Sequence, residues 1–181
     1  MCGIVGISSF TKDLQVNTET IKKMCQVLSH RGPDDAGIEI YENALLGHRR
    51  LSIIDLHSGH QPLKYTYHGQ EYCIVYNGEL YNMKELKEDL IDKGYQFATS
   101  SDTEVALVSY IEYGPECVKR FEGIFSFVIY SDDQLFGCRD QLGVKPLYFS
   151  YDEDELVFAS EIKAILIYKN KAVVDRNGVR S

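Results

Sequence analysis

The sequence predicts an α+β fold with a mostly antiparallel sheet, and three observations favour it. Along the chain the pattern runs from strands to helices and then to strands again. The strands are joined by short turns and hairpins, without the regular alternation of strand and helix that parallel sheets need. Two segments, EYCIVY (71–76) and IFSFVIY (124–130), are almost continuously apolar, which indicates a sheet covered on both faces.

The first half of the chain contains one predicted helix among several strands. Ile21, Met24, Cys25 and Leu28 fall at i, i+3, i+4 and i+7, which is the spacing of one helix face. The motif HRGPDDAG then ends the helix through its glycine and proline. The predicted elements are a strand at 3–8, a helix at 18–30, strands at about 38–48 and 50–54, a loop at 55–63 and a strand at 71–76 that stops at Asn77-Gly78.

The second half begins with two predicted helices. Asn82 is a suitable N-cap for a helix at 83–92, and Ser101 or Asp102 begins another helix that ends at Gly114. The remaining predicted elements are a short helix at 115–121, a strand at 124–130 that turns at SDDQ into LFGC, a hairpin of VKPLYFS and ELVFAS, a helix at 161–168 and a polar C-terminal tail.

Composition restricts the classes of function. The chain has 181 residues, enough for one domain, and a formal net charge of -8, which argues against nucleic acid or an anionic membrane as the main partner. No basic leader and no apolar run of about 20 residues is present, so we expect a cytoplasmic protein. Five widely spaced cysteines without a CxxC motif predict neither a disulfide framework nor a zinc site, and no metal is expected.

Cys2 stands directly behind the initiator Met in the opening stretch MCGIVGI. Removal of Met1 would give Cys2 a free α-amine, whose pKa of about 7.7–8.0 lets it act as a base at neutral pH. A thiol and its base would then belong to one residue, with a water relaying the proton because the geometry is tight. The alternative is that Cys2 is a small buried hydrophobic residue of an edge strand.

The Asn77-Gly78 pair lies in the segment YNGELYN. Asn-Gly is a strong hairpin signal, so a type I′ turn is one interpretation. However, the following residues, ELYNMKELKEDL, predict a helix and no returning strand. Asn beside Gly also offers a side-chain NH₂ and an unhindered backbone N–H together, as an oxyanion hole requires.

Two charged residues complete the candidate site. Arg50, at the start of an apolar stretch in GHRRLSI, can bind a carboxylate through two hydrogen bonds, or it can be a solvated residue at a strand end. Asp102, in SSDTEV, can hold an ammonium group, or it can be only a helix N-cap. Together the four features suit a molecule with an amide at one end and an amino-acid head at the other, such as glutamine.

Eight motifs add a resemblance to a known family. The sequence resembles the class II glutamine amidotransferases, whose glutaminase domain is an N-terminal-nucleophile hydrolase. Within this family it is similar to the N-terminal domain of glutamine-hydrolysing asparagine synthetases. The motifs run in family order from residue 1 to about 166: MCGIVGI, SHRGPDDAG, GHRRLSIIDLHSGHQPL, YNGELYN, SSDTEV, FEGIFSFVIYS, CRDQLGVKPLYF and FASEIKAIL.

The resemblance implies a role for each candidate residue and a more detailed fold. Cys2 would attack the glutamine amide and form a γ-glutamyl thioester, while Asn77 and Gly78 would form the oxyanion hole. Arg50 would bind the α-carboxylate of glutamine, and Asp102 the α-ammonium, with Glu79 close by. The backbone of Leu51, Ser52, Ile53 and Ile54 would line the pocket. The fold would be a four-layer αββα sandwich, in which two antiparallel sheets lie between helices. Tyr76 and Leu80 depart mildly from the family pattern, where Phe and Ile are expected.

The resemblance also predicts the domain organisation. Residues 1–166 would form the glutaminase domain, and 167–181 a tail or linker toward an ATP-dependent synthetase domain, whose pyrophosphate-loop motif the sequence lacks. We expect no cofactor for the glutaminase domain, and ATP and Mg only for the synthetase domain. The partners would be L-glutamine and that domain; a homodimer is left open. The alternatives are a non-catalytic glutamine-binding or assembly module, and the glutaminase domain of a different amidotransferase.

Overall fold

The computed structural model describes residues 1–51 and 59–170, which form nine β-strands and four α-helices. The strands are β1 (Gly3–Ser9), β2 (Asp35–Ile40), β3 (Ala44–Arg50), β4 (Leu63–Tyr67), β5 (Gln70–Leu80), β6 (Gly123–Ser131), β7 (Gln134–Arg139), β8 (Tyr148–Asp152) and β9 (Glu155–Ala159). The helices are α1 (Thr18–Gln26), α2 (Met83–Asp92), α3 (Asp102–Tyr113) and α4 (Ile162–Lys169). Short 3₁₀ turns precede α1 and follow α3.

The strands form two antiparallel sheets. The first has the order β2-β3-β1-β9-β8, and the second has the order β4-β5-β6-β7. Within the first sheet, Gly3 of β1 pairs with Arg49 of β3. Within the second sheet, β5 pairs with β6 from Cys73↔Tyr130 to Leu80↔Gly123.

Three apolar clusters show how the layers are stacked. One lies between the sheets and contains Ile4, Ala44, Leu46, Cys73, Val75, Val128, Tyr130 and Phe158. The other side of the first sheet packs on α1 and α4 through a cluster that includes Ile21 and Ile165. The other side of the second sheet packs on α2 and α3 through a cluster that includes Leu90 and Phe127. The predicted four-layer αββα sandwich is therefore confirmed.

Most predicted elements are present, with small shifts at their ends. The predicted strand at 38–48 is two strands, because the backbone turns at Tyr41, whose N–H donates to Ala44 O. The predicted helix at 18–30 ends as an α-helix at Gln26, and the segment predicted as a short helix after Gly114 is 3₁₀. Most of the predicted strand at 50–54 and the polar tail after residue 170 lie outside the described residues.

Two local predictions are wrong for identifiable reasons. The strand predicted to stop at Asn77-Gly78 continues to Leu80, because its pairing with β6 extends to Gly123. Asn82 does not cap α2 with its side chain, since the side chain instead donates to Arg120 O (2.9 Å) and accepts from Glu122 N (3.0 Å). Because β5 continues through Asn77 and Gly78, the alternative of a type I′ hairpin turn at these two residues is excluded.

The contact between α1 and the first sheet predicts a sensitive glycine. A β-carbon on Gly47 would overlap the Cys25 Sγ and lie 2.8 Å from Val5 Cγ2. We expect Gly47→Ala to lower the free energy of unfolding by about 1–3 kcal/mol through overpacking. Gly137→Ala is the control, because its nearest atom is Val128 Cγ2 at 3.6 Å, and we expect a change within about 0.5 kcal/mol. Urea unfolding of both variants measures this; equal changes would contradict the packing described here.

Candidate active site

The candidate residues meet at one end of the sandwich. Cys2 lies directly before β1, beside the end of β3, where Arg50 is located. Because side chains alternate along strands, Arg50 continues the face of β3 that carries Leu46, and Asn77 continues the face of β5 that carries Val75. Leu46 and Val75 belong to the cluster between the sheets. Arg50 and Asn77 therefore line the end of the layer between the two sheets, whereas Asp102 contacts β5 through the hydroxyl of Tyr76, which packs on the α2–α3 side.

The backbone around Cys2 is held from two sides. Arg31 packs along Gly3 and donates from Nε to the Cys2 carbonyl oxygen at 3.0 Å. The same guanidinium donates from Nη1 to Glu161 at 3.2 Å. One residue further, Ile4 N donates to Ser160 Oγ at 2.9 Å, and Ser160 N donates to Ile4 O at 2.8 Å. These bonds fix the start of β1 against the loop that follows β9.

Glu161 is the charged anchor of this arrangement. Burial alone would raise its pKa, but contacts with Lys163, His30 and Arg31 outweigh burial and hold the pKa at about 2. Glu161 therefore carries its negative charge throughout the physiological pH range and holds the Arg31 guanidinium. The sequence analysis gave HRGPDDAG only the role of ending a helix and missed that Arg31 reaches Cys2, since the two are 29 residues apart and no local pattern connects them.

The five thiols differ strongly in their surroundings. Cys25, Cys73 and Cys117 are buried, and burial raises the pKa of each to about 12, so these thiols stay protonated and are poor nucleophiles. Cys2 and Cys138 are half-buried. Burial also raises the pKa of Cys138. Cys138 belongs to β7, two strands away from β5 in the second sheet, whereas Cys2 lies beside the end of β3 that carries Arg50.

His48 connects the two sheets at the site. It extends from β3 and its Nε2 lies 3.1 Å from the Tyr76 carbonyl oxygen on β5. A carbonyl only accepts, so Nε2 carries the hydrogen and donates it. His48 is 1% exposed, and burial lowers its pKa to about 3, which keeps the ring neutral. This bond sets the position of the peptide that joins Tyr76 to Asn77.

Within the described residues, the edge of β5 is open beyond Ile74, because β4 begins at Leu63, the partner of Ile74. Side chains replace the absent strand. Gln61 Oε1 accepts from Tyr76 N at 2.6 Å, and Asp102 Oδ2 accepts from Leu80 N at 3.1 Å. Because alternate residues of a strand direct their N–H groups to the same edge, the Gly78 N–H lies on this edge between those two.

Asn77 places an unpaired donor beside this edge. Its side chain is 2% exposed, and its Nδ2 has no hydrogen-bond partner among the described residues. Buried polar groups are normally paired, and an unpaired one costs about 1–3 kcal/mol. Asn77 Nδ2 and the neighbouring Gly78 N–H are therefore two donors at one place, which is the arrangement an oxyanion needs.

Asp102 is turned toward β5 and is not the helix cap. The cap of α3 is Ser101, whose Oγ accepts from Glu104 N at 3.3 Å. Asp102 Oδ2 accepts from Leu80 N and from the Tyr76 hydroxyl, both at 3.1 Å. Burial raises the pKa of Asp102, while these two donors lower it. The carboxyl group of Asp102 is thus fixed beside Leu80, two residues along β5 from Gly78.

The remaining predicted residues are placed as follows. Arg50 is half-buried and packs against Gly59, where any β-carbon would overlap its guanidinium. Its charge also lowers the pKa of Asp35, although burial and the His60 and Ala36 contacts have larger effects. Leu51 is half-buried and follows β3, and Glu79 is exposed at the end of β5. Ser52, Ile53 and Ile54 lie outside the described residues.

Comparison with known proteins agrees with this geometry. The sequence profile described as "Glutamine amidotransferase domain" matches residues 1–181. The chain belongs to the glutamine amidotransferase family. Among similar relatives of this amidotransferase domain, "Asparagine synthetase [glutamine-hydrolyzing] 3" of Bacillus subtilis (strain 168) is 45% identical over 182 residues, covering 99% of the domain chain and 30% of the relative. "Asparagine synthetase B [glutamine-hydrolyzing]" of Escherichia coli (strain K12) is 41% identical over 171 residues, covering 92% of the domain chain and 30% of the relative.

The amidotransferase chain thus spans 30% of the length of each of these relatives. Its fold is similar to that of solved structures with lower identity. The glutamine phosphoribosylpyrophosphate amidotransferase from B. subtilis, solved with ADP and GMP, superposes with a TM-score of 0.75 at 23% identity, covering 93% of this chain and 44% of that one. The resemblance to the glutamine amidotransferases and the predicted fold are therefore both confirmed.

Two structural features are absent from the described part of the amidotransferase domain. None of the helices in residues 1–51 and 59–170 has the length and hydrophobicity that crossing a membrane requires. Across the same residues, no three His, Cys, Asp or Glu side chains are grouped as metal ligands would be.

The neutral state of His48 predicts a pH-dependent stability. The unfolded histidine binds a proton near pH 6.5, whereas the folded one does so only near pH 3. Between these values the unfolded state binds more protons, so stability falls as pH is lowered through this window, by up to about 1.4 kcal/mol per pH unit. We expect His48→Asn to lose this contribution to the slope.

Urea unfolding at about pH 6.5, 5.5 and 4.5 measures the effect. His68→Asn is the control, because His68 is exposed in the β4–β5 turn and should leave the slope of the wild type unchanged. Equal slopes for His48→Asn and the wild type would contradict a buried neutral His48.

Proposed function

We propose that this domain hydrolyses L-glutamine to glutamate and ammonia, with Cys2 as the nucleophile. The observation that carries the proposal is the buried, unpaired Nδ2 of Asn77, which lies beside the Gly78 N–H on the open edge of β5. These donors occur at the end of the sandwich where Cys2 is anchored by Arg31. A half-buried thiol near two oxyanion donors suits attack on a carbonyl carbon.

The nucleophile and its base would both belong to Cys2. With Met1 in place, the Cys2 nitrogen is part of an amide and is not basic. Removal of Met1 leaves an α-amine with a pKa of about 7.7–8.0, which can accept the thiol proton at neutral pH. The Arg31 bond to the Cys2 carbonyl would hold this residue in place after its N-terminal connection is lost.

The substrate would be held by its amino-acid head. Arg50 can bind the α-carboxylate through two parallel hydrogen bonds. Asp102 can bind the α-ammonium, and Glu79, exposed at the end of the same strand, adds negative charge nearby. The segment from Leu51 to Ile54 would line the pocket. Because both charges of the head are matched, an amide without an amino-acid head should be a poor substrate.

The chemistry follows from these positions. The Cys2 thiol transfers its proton to its own α-amine, through a water, and the sulfur attacks the δ-carbonyl carbon of glutamine. The carbonyl oxygen becomes negative and accepts hydrogen bonds from Asn77 and Gly78. The C–N bond then breaks, the proton goes to the leaving ammonia, and a γ-glutamyl thioester remains. Water hydrolyses the thioester to glutamate and restores the thiol. No cofactor takes part in these reaction steps.

The domain would supply ammonia within a larger enzyme. The relatives described above are glutamine-hydrolysing asparagine synthetases by name, and their length exceeds that of this chain. We propose that residues 1–166 are the glutaminase domain and that 167–181 lead toward an ATP- and Mg-dependent synthetase domain. This function places the domain in the cytoplasm, where glutamine, aspartate and ATP are available together.

The oxyanion hole gives the most specific test. We expect Asn77→Ala to lower kcat for glutamine hydrolysis by about 10²–10³-fold with KM changed only a few-fold, because the donor acts mainly on the charge formed in the transition state. Ammonia and glutamate release by the purified chain measure this. Asn82→Ala is the control: it removes an asparagine side chain two residues beyond β5 that bonds only to backbone groups of 120 and 122 among the described residues.

Three outcomes would count against the proposal. Wild-type protein that binds glutamine without hydrolysing it would indicate the non-catalytic module. Hydrolysis of simple amides at rates equal to glutamine would indicate a different amidase. Equal kinetics of Asn77→Ala and Asn82→Ala would remove Asn77 from the oxyanion hole.

A further inference from the structure

The Tyr76 hydroxyl lies between the two halves of the proposed glutamine site. Its oxygen is 3.1 Å from Asp102 Oδ2, and a β-carbon on Gly78 would lie 2.7 Å from it. The hydroxyl thus bonds to the predicted ammonium ligand and occupies the space beside Gly78 that a side chain there would fill. The sequence showed only that Tyr76 stands where the family pattern has Phe, and it did not show what the added hydroxyl contacts.

The environment of Tyr76 fixes this hydroxyl firmly. The residue is 2% exposed, and its ring packs near Phe127 with centroids 6.3 Å apart. Its backbone N–H donates to Gln61 and its carbonyl accepts from His48. Burial, followed by Asp102, Glu79 and Cys2, raises the pKa of Tyr76 well above its usual range, so the phenol stays protonated and donates. The two bonds fix the backbone of Tyr76, and burial leaves its ring little room to move.

We propose that Tyr76 is a positioning residue that holds the Asp102 carboxylate at the edge of β5 and thereby sets the affinity for the substrate's ammonium group. This inference rests on the proposed function, in which Asp102 binds that ammonium. Tyr76 and Leu80 N donate to the same carboxylate oxygen, so together they fix the orientation of the group. Without the hydroxyl, burial would disfavour the charged carboxylate more strongly, and its orientation would depend on fewer donors.

Tyr76→Phe tests the inference, because it removes the hydroxyl and keeps the ring. We expect KM for glutamine to rise about three- to tenfold while kcat stays within about twofold, since hydrogen bonds to charged groups are among the stronger ones. Glutaramate, which has the amide and the carboxylate but no α-ammonium, should be hydrolysed with the same kcat/KM by both proteins. In a Cys2→Ala background, calorimetry should show that Tyr76→Phe weakens glutamine binding by a similar factor.

Tyr130→Phe is the matched control. Tyr130 is 7% exposed on the neighbouring strand β6, and its hydroxyl bonds to Asn43 Oδ1 at 2.6 Å and to Asp133 Oδ1 at 3.0 Å. This variant also loses a hydrogen bond to a carboxylate, and we expect KM for both substrates to stay at the wild-type value. A fall in thermal stability that is equal in both variants would measure only the structural part of the change.

Each outcome separates the inference from the proposed function. Normal hydrolysis with an unchanged or lower KM in Tyr76→Phe overturns the inference alone, as does an equal loss of kcat/KM for glutamine and glutaramate. A loss of kcat with unchanged KM would assign the hydroxyl to Gly78 and the oxyanion hole, and also overturns it. Wild-type protein without hydrolysis, together with a Cys2→Ala variant that binds no glutamine, overturns both.

Discussion

The open edge of β5 is the constraint on which the site depends. Among residues 1–51 and 59–170, β5 beyond Ile74 pairs with β6 alone, so within this part of the chain the N–H groups of Tyr76, Gly78 and Leu80 have no strand partner on the other side. Gln61 and Asp102 satisfy the first and the third. The Gly78 N–H lies between them, beside the unpaired amide of Asn77. A strand left open at its edge usually risks aggregation, but here side chains cover the ends and leave two donors for a ligand.

The two sheets must also keep a fixed distance at this end for Cys2 and β5 to face each other. The bond from His48 to the Tyr76 carbonyl joins them, and burial keeps the imidazole that donates this bond neutral. On the other side of the first sheet, Arg31 and Glu161 hold the Cys2 backbone. These contacts involve none of the groups that are proposed to touch glutamine. They are what brings a terminal residue and a strand interior into one site.

Sequence reasoning predicted the layers and the candidate residues better than their connections. The apolar runs of β5 and β6 and the spacing of Ile21, Met24 and Cys25 directly reflect burial, so the elements followed from local pattern. Cys2, Asn77, Gly78 and Asp102 were predicted as site residues because their chemistry is unusual at their positions, and their roles stay predictions. Arg31, His48, Gln61 and Tyr76 were missed, because their partners lie from 15 to 29 residues away and depend on sheet register. Asn77-Gly78 was predicted to end a strand, since local propensity contains no information about the pairing with β6.

The central claim is that Cys2 becomes an N-terminal nucleophile that attacks glutamine. The intact mass of the purified chain, before and after treatment with 6-diazo-5-oxo-L-norleucine, tests it most directly. We expect a chain that lacks Met1 and gains one adduct, which maps to Cys2. The adduct should be absent in Cys2→Ala and should persist in Cys138→Ala, which removes the other half-buried thiol. A chain that keeps Met1 and stays unlabelled, or one labelled at Cys138, would show that Cys2 is not the nucleophile.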